Sequence, residues 1–121
     1  MILIADDNEM VRSLIRSMLE DLDGEIIEAS SGQEAIEAYS RHQPEVVLMD
    51  LNMSPVDGLT ATQAILEDFP DARIIIVTQH QDERTRDLSL SLGACGFVGK
   101  DDLTKVRDLL RALVPIPNRN T

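Results

Sequence analysis

The most constraining feature of this sequence is an uninterrupted apolar run, Val46 to Met49, that leads directly into the carboxylate of Asp50. The run does not alternate with polar residues, so both faces of the strand that it predicts should be covered. This pattern is typical of a central strand in a parallel sheet. Asp50 is then expected at the carboxyl end of that strand, the edge where open parallel sheets bind ligands. Taken alone, Asp50 fits better as a residue that ends a strand and begins a turn. The choice therefore depends on what other strands bring to the same edge.

The composition predicts one aliphatic domain with an acidic surface. The chain has 121 residues, of which 43% are hydrophobic and only 2% aromatic, and its net charge is -11. Such a chain is long enough to bury a core. Its charge argues against direct binding of nucleic acid, which requires cationic surface. The charge fits a cation site or a basic partner, although it also fits a surface that is acidic for solubility alone.

The single cysteine, Cys95, excludes an internal disulfide and a cysteine-based zinc cluster, and it indicates a reducing compartment. We expect this small side chain to be buried. The first residues lack a basic region, and their apolar run is too short for a signal peptide. No run reaches membrane-spanning length, so we expect a cytoplasmic protein with no membrane partner.

Apolar runs alternate with stretches of helical periodicity along the whole chain. The runs predict strands at 1–5, 25–30, 46–49, 73–78 and 94–99. The periodic stretches predict helices that include 11–22, 35–39 (ending before Pro44), 59–69, 82–92 and 103–113. Right-handed crossovers make this an α/β fold, a doubly wound five-stranded parallel sheet with five helices in a three-layer sandwich. Residues 1–114 form this domain, and 115–121 are a C-terminal tail or the start of a linker.

Local signals set the predicted helix ends. Asp7 or Asn8 is expected to cap the first helix, and the Ser31 to Glu34 segment has the spacing of a capping box. The fourth helix is polar, with Leu88 and Leu92 as its weak apolar side. We therefore expect it to be loosely held.

Chemically active side chains follow the predicted strands, and in a parallel sheet all of these ends share one edge. They are Asp6 and Asp7 after the first strand, Asp50 after the third, Thr78 at the end of the fourth and Lys100 after the fifth. Clustered carboxylates repel one another, and a divalent cation such as Mg²⁺ (or Mn²⁺) removes that penalty. Such a site places Asp50 as a nucleophile toward phosphorus, with Lys100 and Thr78 near the other phosphoryl oxygens. The chain has no glycine-rich nucleotide loop, so the phosphoryl group must come from elsewhere.

Together these residues resemble the receiver domain of two-component response regulators over essentially the whole chain. The matching segments are Asp6 and Asp7, Asp50 to Met53, Asp57 and Gly58, Thr78, and Phe97 to Lys100. The resemblance implies a flavodoxin-like fold with strand order 2-1-3-4-5. It also implies that the domain catalyses its own phosphorylation and dephosphorylation at one aspartate rather than acting as a conventional enzyme.

The resemblance assigns roles to individual residues. Asp50 would accept phosphoryl from a sensor histidine kinase or a histidine phosphotransfer protein. Asp6, Asp7, Asp50 and the backbone carbonyl of Asn52 would bind the metal, Lys100 and Thr78 would contact the phosphoryl group, and Thr78 and Phe97 would form the switch. The fourth helix, last strand and last helix would form the output face and a possible homodimer contact. The amino-acid sequence around residues 6–12 and 96–102 is similar to that of receivers that precede helix-turn-helix domains. The resemblance therefore implies that DNA would be bound only through an output domain.

Three departures from the family pattern bear on the site. Ser54 replaces the usual proline after Met53, Gln79 replaces a small residue after the threonine, and Asp101 replaces a proline that is often cis. A pseudo-receiver that only binds proteins is the alternative function, and Gln79 is the residue that favours it. A hydrolase on a similar fold would need an aspartate at Asn52 and usually a capping insertion, and the chain has neither.

Overall fold

A computed structural model describes residues 1–20, 22, 24–79 and 81–113. The strands are β1 (Ile2–Ala5), β2 (Ile26–Ala29), β3 (Val46–Met49), β4 (Ile74–Thr78) and β5 (Gly96–Gly99). The helices are α1 (Glu9–Met18), α2 (Gly32–His42), α3 (Gly58–Asp68), α4 (Glu83–Ser91) and α5 (Thr104–Leu113). All neighbouring strands pair in parallel, in the order β2-β1-β3-β4-β5. The doubly wound flavodoxin-like fold is therefore confirmed, while the predicted tail at 115–121 lies outside the described residues.

Two separate apolar cores cover the two faces of the sheet. Consecutive strand residues alternate between them, so that Val46 and Leu48 face one core and Val47 and Met49 face the other. The first core is completed by α1 and α5, and the second by α2 and α3. All four β3 residues are buried, which confirms that the unalternated run is a central strand covered on both sides.

The helix starts follow the capping residues closely. Asn8, rather than Asp7, caps α1 by accepting hydrogen bonds from the backbone N–H groups of Met10 and Val11. Ser31 caps α2 by accepting from the N–H of Glu34. The reciprocal half of the predicted capping box is different, because the Glu34 carboxylate accepts from the N–H and hydroxyl of Ser30 instead of from Ser31. The Ser31 hydroxyl still satisfies one of the unpaired N–H groups of the first turn, that of Glu34.

Helix α4 and the residue before β5 correct two expectations. Leu88 is 47% exposed, and the buried position of α4 is Ser89, whose hydroxyl donates to the Thr85 carbonyl. Cys95 is exposed rather than buried. The leucine spacing therefore does not mark the buried side of α4, which the small residue Ser89 occupies. No helix in the described part of the chain is long and apolar enough to cross a membrane.

Candidate functional site

Backbone pairing carries the site residues slightly beyond the regular strands. The Asp6 N–H donates to the Ala29 carbonyl at 3.0 Å, and the Asp50 N–H donates to the Ala5 carbonyl at 2.9 Å. On the other side of the sheet, the Lys100 N–H donates to the Thr78 carbonyl at 2.8 Å. These bonds continue the ladder by one residue, so each functional side chain leaves from backbone that is fixed by the sheet. The predicted convergence at the carboxyl edge is present.

Lys100 bridges two buried carboxylates. Its Nζ lies 2.8 Å from Asp6 Oδ2 and 3.2 Å from Asp50 Oδ1. Both aspartates are 2% exposed as whole residues. Burial disfavours the ammonium, but the hydrogen bond to Asp6 and the charge of Asp50 outweigh it and raise the pKa of Lys100. Lys100 therefore stays a cation beside the carboxylates.

Asp50 is a buried carboxylate with little to stabilise its charge. Among the residues that the structure describes, neither of its side-chain oxygens accepts a hydrogen bond of normal geometry. Burial raises the pKa of Asp50 and repulsion from Asp6 raises it further, while the Lys100 ammonium and the Asn52 backbone N–H offset these two effects only in part. A buried carboxylate with so few hydrogen bonds would be stabilised by a second cation bound to its oxygens.

The three carboxylates form a cluster that is open on one side. Ligand oxygens of Asp6, Asp7 and Asp50 all lie within 4.8 Å of one another, with Asp7 exposed and the other two buried. An all-oxygen donor set of this kind suits a hard divalent cation, and the unsatisfied Asp50 oxygens supply an acceptor for it. Asn52 follows in the loop before α3, where it lines a shallow hollow of about 270 Å³ with Asp57 and Thr85. The residues present fit a Mg²⁺-type site.

The two predicted switch residues lie on adjacent strands. Thr78 is fully buried at the end of β4, and in the register of β4 and β5 it is the partner of Gly99. Phe97, two residues earlier on β5, is half-buried and packs on the core that α2 and α3 complete. It also lines a hollow of about 420 Å³ between α4, β5 and α5. The aromatic ring therefore borders both the core and an open space.

The three departures have local consequences. The Ser54–Pro55 bond is the one cis peptide in the described chain, so the Lys100–Asp101 bond is trans. Gln79 is exposed. Asp101 accepts a hydrogen bond from the Gln81 side-chain amide at 3.0 Å, which ties the loop after β4 to the loop after β5.

Two contributors to the site are apparent only in the folded chain. An Arg12 guanidinium nitrogen (Nη1) donates to the Asp6 carbonyl at 2.7 Å. A Cβ atom at Gly58 would lie only 1.9 Å from the Asp50 carbonyl oxygen. No sequence signal reveals the first contact, because it joins a helix side chain to a strand-end backbone atom. For the second, the sequence marks Gly58 only as part of a turn and of the family pattern, and neither reveals its close approach to Asp50.

Comparison with known families agrees with this geometry. The family model described as the response regulator receiver domain matches residues 2–113. The chain belongs to this family. It is thus a receiver domain of two-component response regulators, as the sequence resemblance indicated.

Individual relatives support the receiver assignment. Oxygen regulatory protein NreC of Staphylococcus carnosus is 41% identical over 105 residues, which cover 83% of this chain and 48% of NreC. A LuxR-family two-component response regulator from Aurantimonas sp. SI85-9A1 superposes with a TM-score of 0.85 at 32% identity, covering 92% of this chain and 81% of that one. A chain of the CheX–CheY–BeF3–Mg²⁺ complex of Borrelia burgdorferi gives a TM-score of 0.83 at 30% identity, covering 92% and 86%. The receiver chain spans about half the length of the curated relatives it matches.

Proposed function

We propose that this receiver domain accepts a phosphoryl group on Asp50 from a phosphohistidine of a sensor histidine kinase or a histidine phosphotransfer protein. The observation that carries the proposal is the state of Asp50, a buried carboxylate with unsatisfied oxygens beside one bridging lysine. Phosphorylation on aspartate is typical of the family that the chain belongs to. The carboxylate is 2% exposed, so an incoming group must enter from the open side at Asp7.

The transfer itself follows from the placement of three side chains. An Asp50 carboxylate oxygen forms a bond to phosphorus while the bond from phosphorus to the donor imidazole nitrogen breaks, and the electron pair stays on that nitrogen. The Lys100 ammonium offsets negative charge on one phosphoryl oxygen, and the Thr78 hydroxyl donates to another. The product is an acyl phosphate on Asp50, which water hydrolyses in the return step.

Asp6, Asp7 and Asp50, with the backbone carbonyl of Asn52, are the residues that would hold Mg²⁺ or Mn²⁺. When bound, the cation supplies positive charge that offsets the carboxylates and the phosphoryl oxygens. The donor set and its spacing support this assignment. The similar chain from Borrelia burgdorferi belongs to a complex that contains Mg²⁺, and it supports the same choice of metal.

Thr78 and Phe97 are proposed to transmit the effect of phosphorylation from Asp50 to the surface of the domain. As the Thr78 hydroxyl turns toward the phosphoryl group, the Phe97 ring fills the space that the threonine leaves, and the surface of α4, β5 and α5 changes. That surface would control an output domain or a homodimer. An output domain is supported by the curated relatives, of which this chain covers about half. We propose that this domain is of the helix-turn-helix class and that DNA is bound only by it. Residues 1–114 would form the receiver unit in the cytoplasm, and 115–121 would lead away from it.

The decisive experiment is the intact mass of the domain after incubation with Mg²⁺ and acetyl phosphate, for the wild type and for Asp50→Asn. We expect a gain of one phosphoryl group in the wild type only, and no gain when a chelator is added. Asp68→Asn, an exposed carboxylate on α3, is the matched control and should be phosphorylated like the wild type. No gain in a folded wild-type domain that binds Mg²⁺ would instead support a pseudo-receiver that works as a protein-interaction module.

A further inference from the structure

Arg12 connects the acidic cluster to the neighbouring strand. Its Nη1 donates to the Asp6 carbonyl at 2.7 Å, and its Nε donates to Glu28 Oε1 at 2.8 Å. Glu28 lies on β2, and the Arg12 side chain is only 15% exposed. One guanidinium therefore spans from the edge strand to the strand end that carries two of the three clustered carboxylates. Charge-assisted bonds of this length are among the stronger hydrogen bonds in proteins.

The Asp6 carbonyl needs this donor because the ladder ends beside it. The pairing of β1 with β2 stops at Ala5 and Ala29, and the Asp6 N–H makes the last backbone bond, to the Ala29 carbonyl. Among the described residues, no backbone N–H donates to the Asp6 carbonyl. Arg12 takes the place of such a donor. The peptide plane between Asp6 and Asp7 is held by a side chain rather than by the sheet.

Asp7 depends on its neighbours for its position. Its side chain is exposed and makes no hydrogen bond or ion pair to the residues that the structure describes, yet its carboxylate lies within the cluster. By contrast, Asp6 is tied through both oxygens, Oδ1 to the Asn8 N–H at 2.8 Å and Oδ2 to Lys100 Nζ at 2.8 Å. The direction of the Asp7 carboxylate is thus set by the peptides on either side, one fixed by Arg12 and the other by the Asn8 bond.

We infer that Arg12 is a positioning residue of the acidic cluster, which fixes the Asp6–Asp7 peptide and so directs the Asp7 carboxylate into the site. The inference rests on the proposed function, in which this cluster holds a divalent cation. Arg12 acts through the backbone and touches neither metal nor substrate. This role differs from that of Arg16, which donates to Glu28 and to the Ile26 carbonyl but to no residue of the cluster.

The loss of Arg12 has two opposite effects on the affinity of the acidic cluster for Mg²⁺, one through charge and one through the position of the Asp6–Asp7 peptide. Removing a cation near three carboxylates makes the local potential more negative, which by itself tightens the binding of Mg²⁺. Releasing the Asp6–Asp7 peptide weakens binding, because a ligand that must be ordered on binding costs affinity. Arg12→Met keeps the apolar stem of the side chain but removes its charge and its donors. The sign of the change in Mg²⁺ affinity therefore separates the two effects.

The test is a titration of the ¹⁵N-labelled receiver domain with Mg²⁺, followed through backbone amide shifts near Asp7, for the wild type, Arg12→Met and Arg16→Met. We expect the Kd to rise about tenfold in Arg12→Met, the lower end of what supporting residues contribute to metal affinity. Arg16→Met, which loses the same charge and a similar ion pair, should stay within about twofold of the wild type. An unchanged or tighter Kd in Arg12→Met would overturn the inference.

A second measurement without metal keeps this test separate from the proposed function. In EDTA, the Asn8 amide, which is bonded to Asp6 Oδ1, should exchange with solvent about tenfold faster in Arg12→Met than in Arg16→Met. Equal exchange in the two variants would contradict a positioning role. A wild type that does not bind Mg²⁺ while this exchange difference persists would refute only the metal assignment. If Arg12→Met does not fold, Arg12→Lys, whose single ammonium cannot span both Glu28 and the Asp6 carbonyl, carries the same measurements.

Discussion

At the scale of single residues, the site holds charged side chains in a buried position, from which folded proteins usually exclude charge. Asp6 and Asp50 are both buried, and the described structure offers them one shared cation, Lys100. Asp50 in particular has no hydrogen bond of normal geometry from the described residues. A buried polar group left in this state lowers the free energy of unfolding. The domain therefore gives up stability to keep this carboxylate, the proposed phosphoryl acceptor, in place.

Asp50→Asn should consequently stabilise the metal-free domain while it removes the proposed nucleophile. The substitution removes a desolvated charge that Asp6 repels, and roughly 1 kcal/mol is the scale of such unsatisfied buried groups. The midpoint of thermal unfolding in EDTA should rise by about 4 °C. Glu67→Gln neutralises an exposed carboxylate on α3 and should leave the midpoint nearly unchanged. A fall in the midpoint of Asp50→Asn would contradict this account of the site.

Gly58 is the residue where backbone contact, rather than charge, limits the site. A Cβ atom there would lie 1.9 Å from the Asp50 carbonyl oxygen and 2.9 Å from Leu51 Cα, and both are backbone atoms. Gly58→Ala should destabilise the domain by roughly 3 kcal/mol, since overpacking against rigid atoms forces the backbone to move. It should also abolish phosphorylation of Asp50. Urea denaturation and the intact-mass assay measure the two effects.

Gly96→Ala is the matched control for Gly58. At Gly96 the nearest atoms to an added Cβ are side-chain carbons of Leu109 and Ile75, at 3.2 Å and beyond. Side chains of this kind can shift by a few tenths of an ångström, so the cost should be clearly smaller. Equal losses in the two variants would show that close approach to the Asp50 carbonyl is not the cause.

At the scale of secondary structure elements, α1 and β2 are joined by a charged network around Glu28. Arg12 and Arg16, one turn apart on α1, each donate to a different oxygen of the Glu28 carboxylate. Burial alone would raise the pKa of Glu28, but the hydrogen bonds and charges of the two arginines outweigh it and lower that pKa. The network therefore links α1 to β2 through one shared carboxylate.

This lowered pKa predicts how stability depends on pH. A carboxylate whose folded pKa lies below its unfolded value contributes stability above the unfolded pKa and loses it as the pH falls through the folded one. Wild type should exceed Glu28→Gln by about 1 kcal/mol or less at pH 7, the range of partly exposed ion pairs. The gap should close as the solution becomes more acidic than the ordinary pKa of glutamate. Urea denaturation at several pH values checks this.

The exposed Glu25 provides the control for the pH experiment. It lies directly before β2, and it makes no side-chain hydrogen bond or ion pair to the described residues. Glu25→Gln should therefore differ from the wild type by nearly the same small amount at every pH. A gap for Glu28→Gln that widened toward low pH would contradict the sign of the pKa shift.

At the scale of the whole molecule, one sheet separates two apolar cores. Ile75 and Ile76 are adjacent on β4 and both fully buried, yet Ile75 belongs to the core with α1 and α5, and Ile76 to the core with α2 and α3. Each of the two side chains thus belongs to a different core. The two cores should therefore respond independently to small changes in packing.

The substitutions Ile75→Val and Ile76→Val test this independence. Each should reduce the free energy of unfolding by about 1 kcal/mol, the usual cost of deleting one buried methylene. In the double variant the two losses should add to within about 0.5 kcal/mol, as they do for sites without shared partners. A coupling of about 1 kcal/mol or more in urea denaturation would show that the sheet transmits strain between its faces.

Much of this protein can be predicted from local pattern alone. The unalternated apolar run before Asp50 predicted a central parallel strand, because a strand that is buried on both faces needs apolar residues at successive positions. The alternation of apolar runs with stretches of helical periodicity predicted five strands and five helices. The parallel arrangement then brought Asp6, Asp50, Thr78 and Lys100 to one edge. These predictions succeeded because they depend only on the order of the elements along the chain and on which face of a strand or helix each residue occupies.

Other features depend on distances between atoms far apart in the chain, and only the tertiary structure decided them. Which carboxylates Lys100 bridges, the contact of Arg12 with the Asp6 carbonyl, and the approach of Gly58 to Asp50 all arise from how loops and helices settle on the sheet. The exposure of Leu88 and Cys95 was likewise decided by tertiary packing and not by local pattern. The sequence shows which residues are apolar, whereas tertiary packing determines which of them are buried against other side chains.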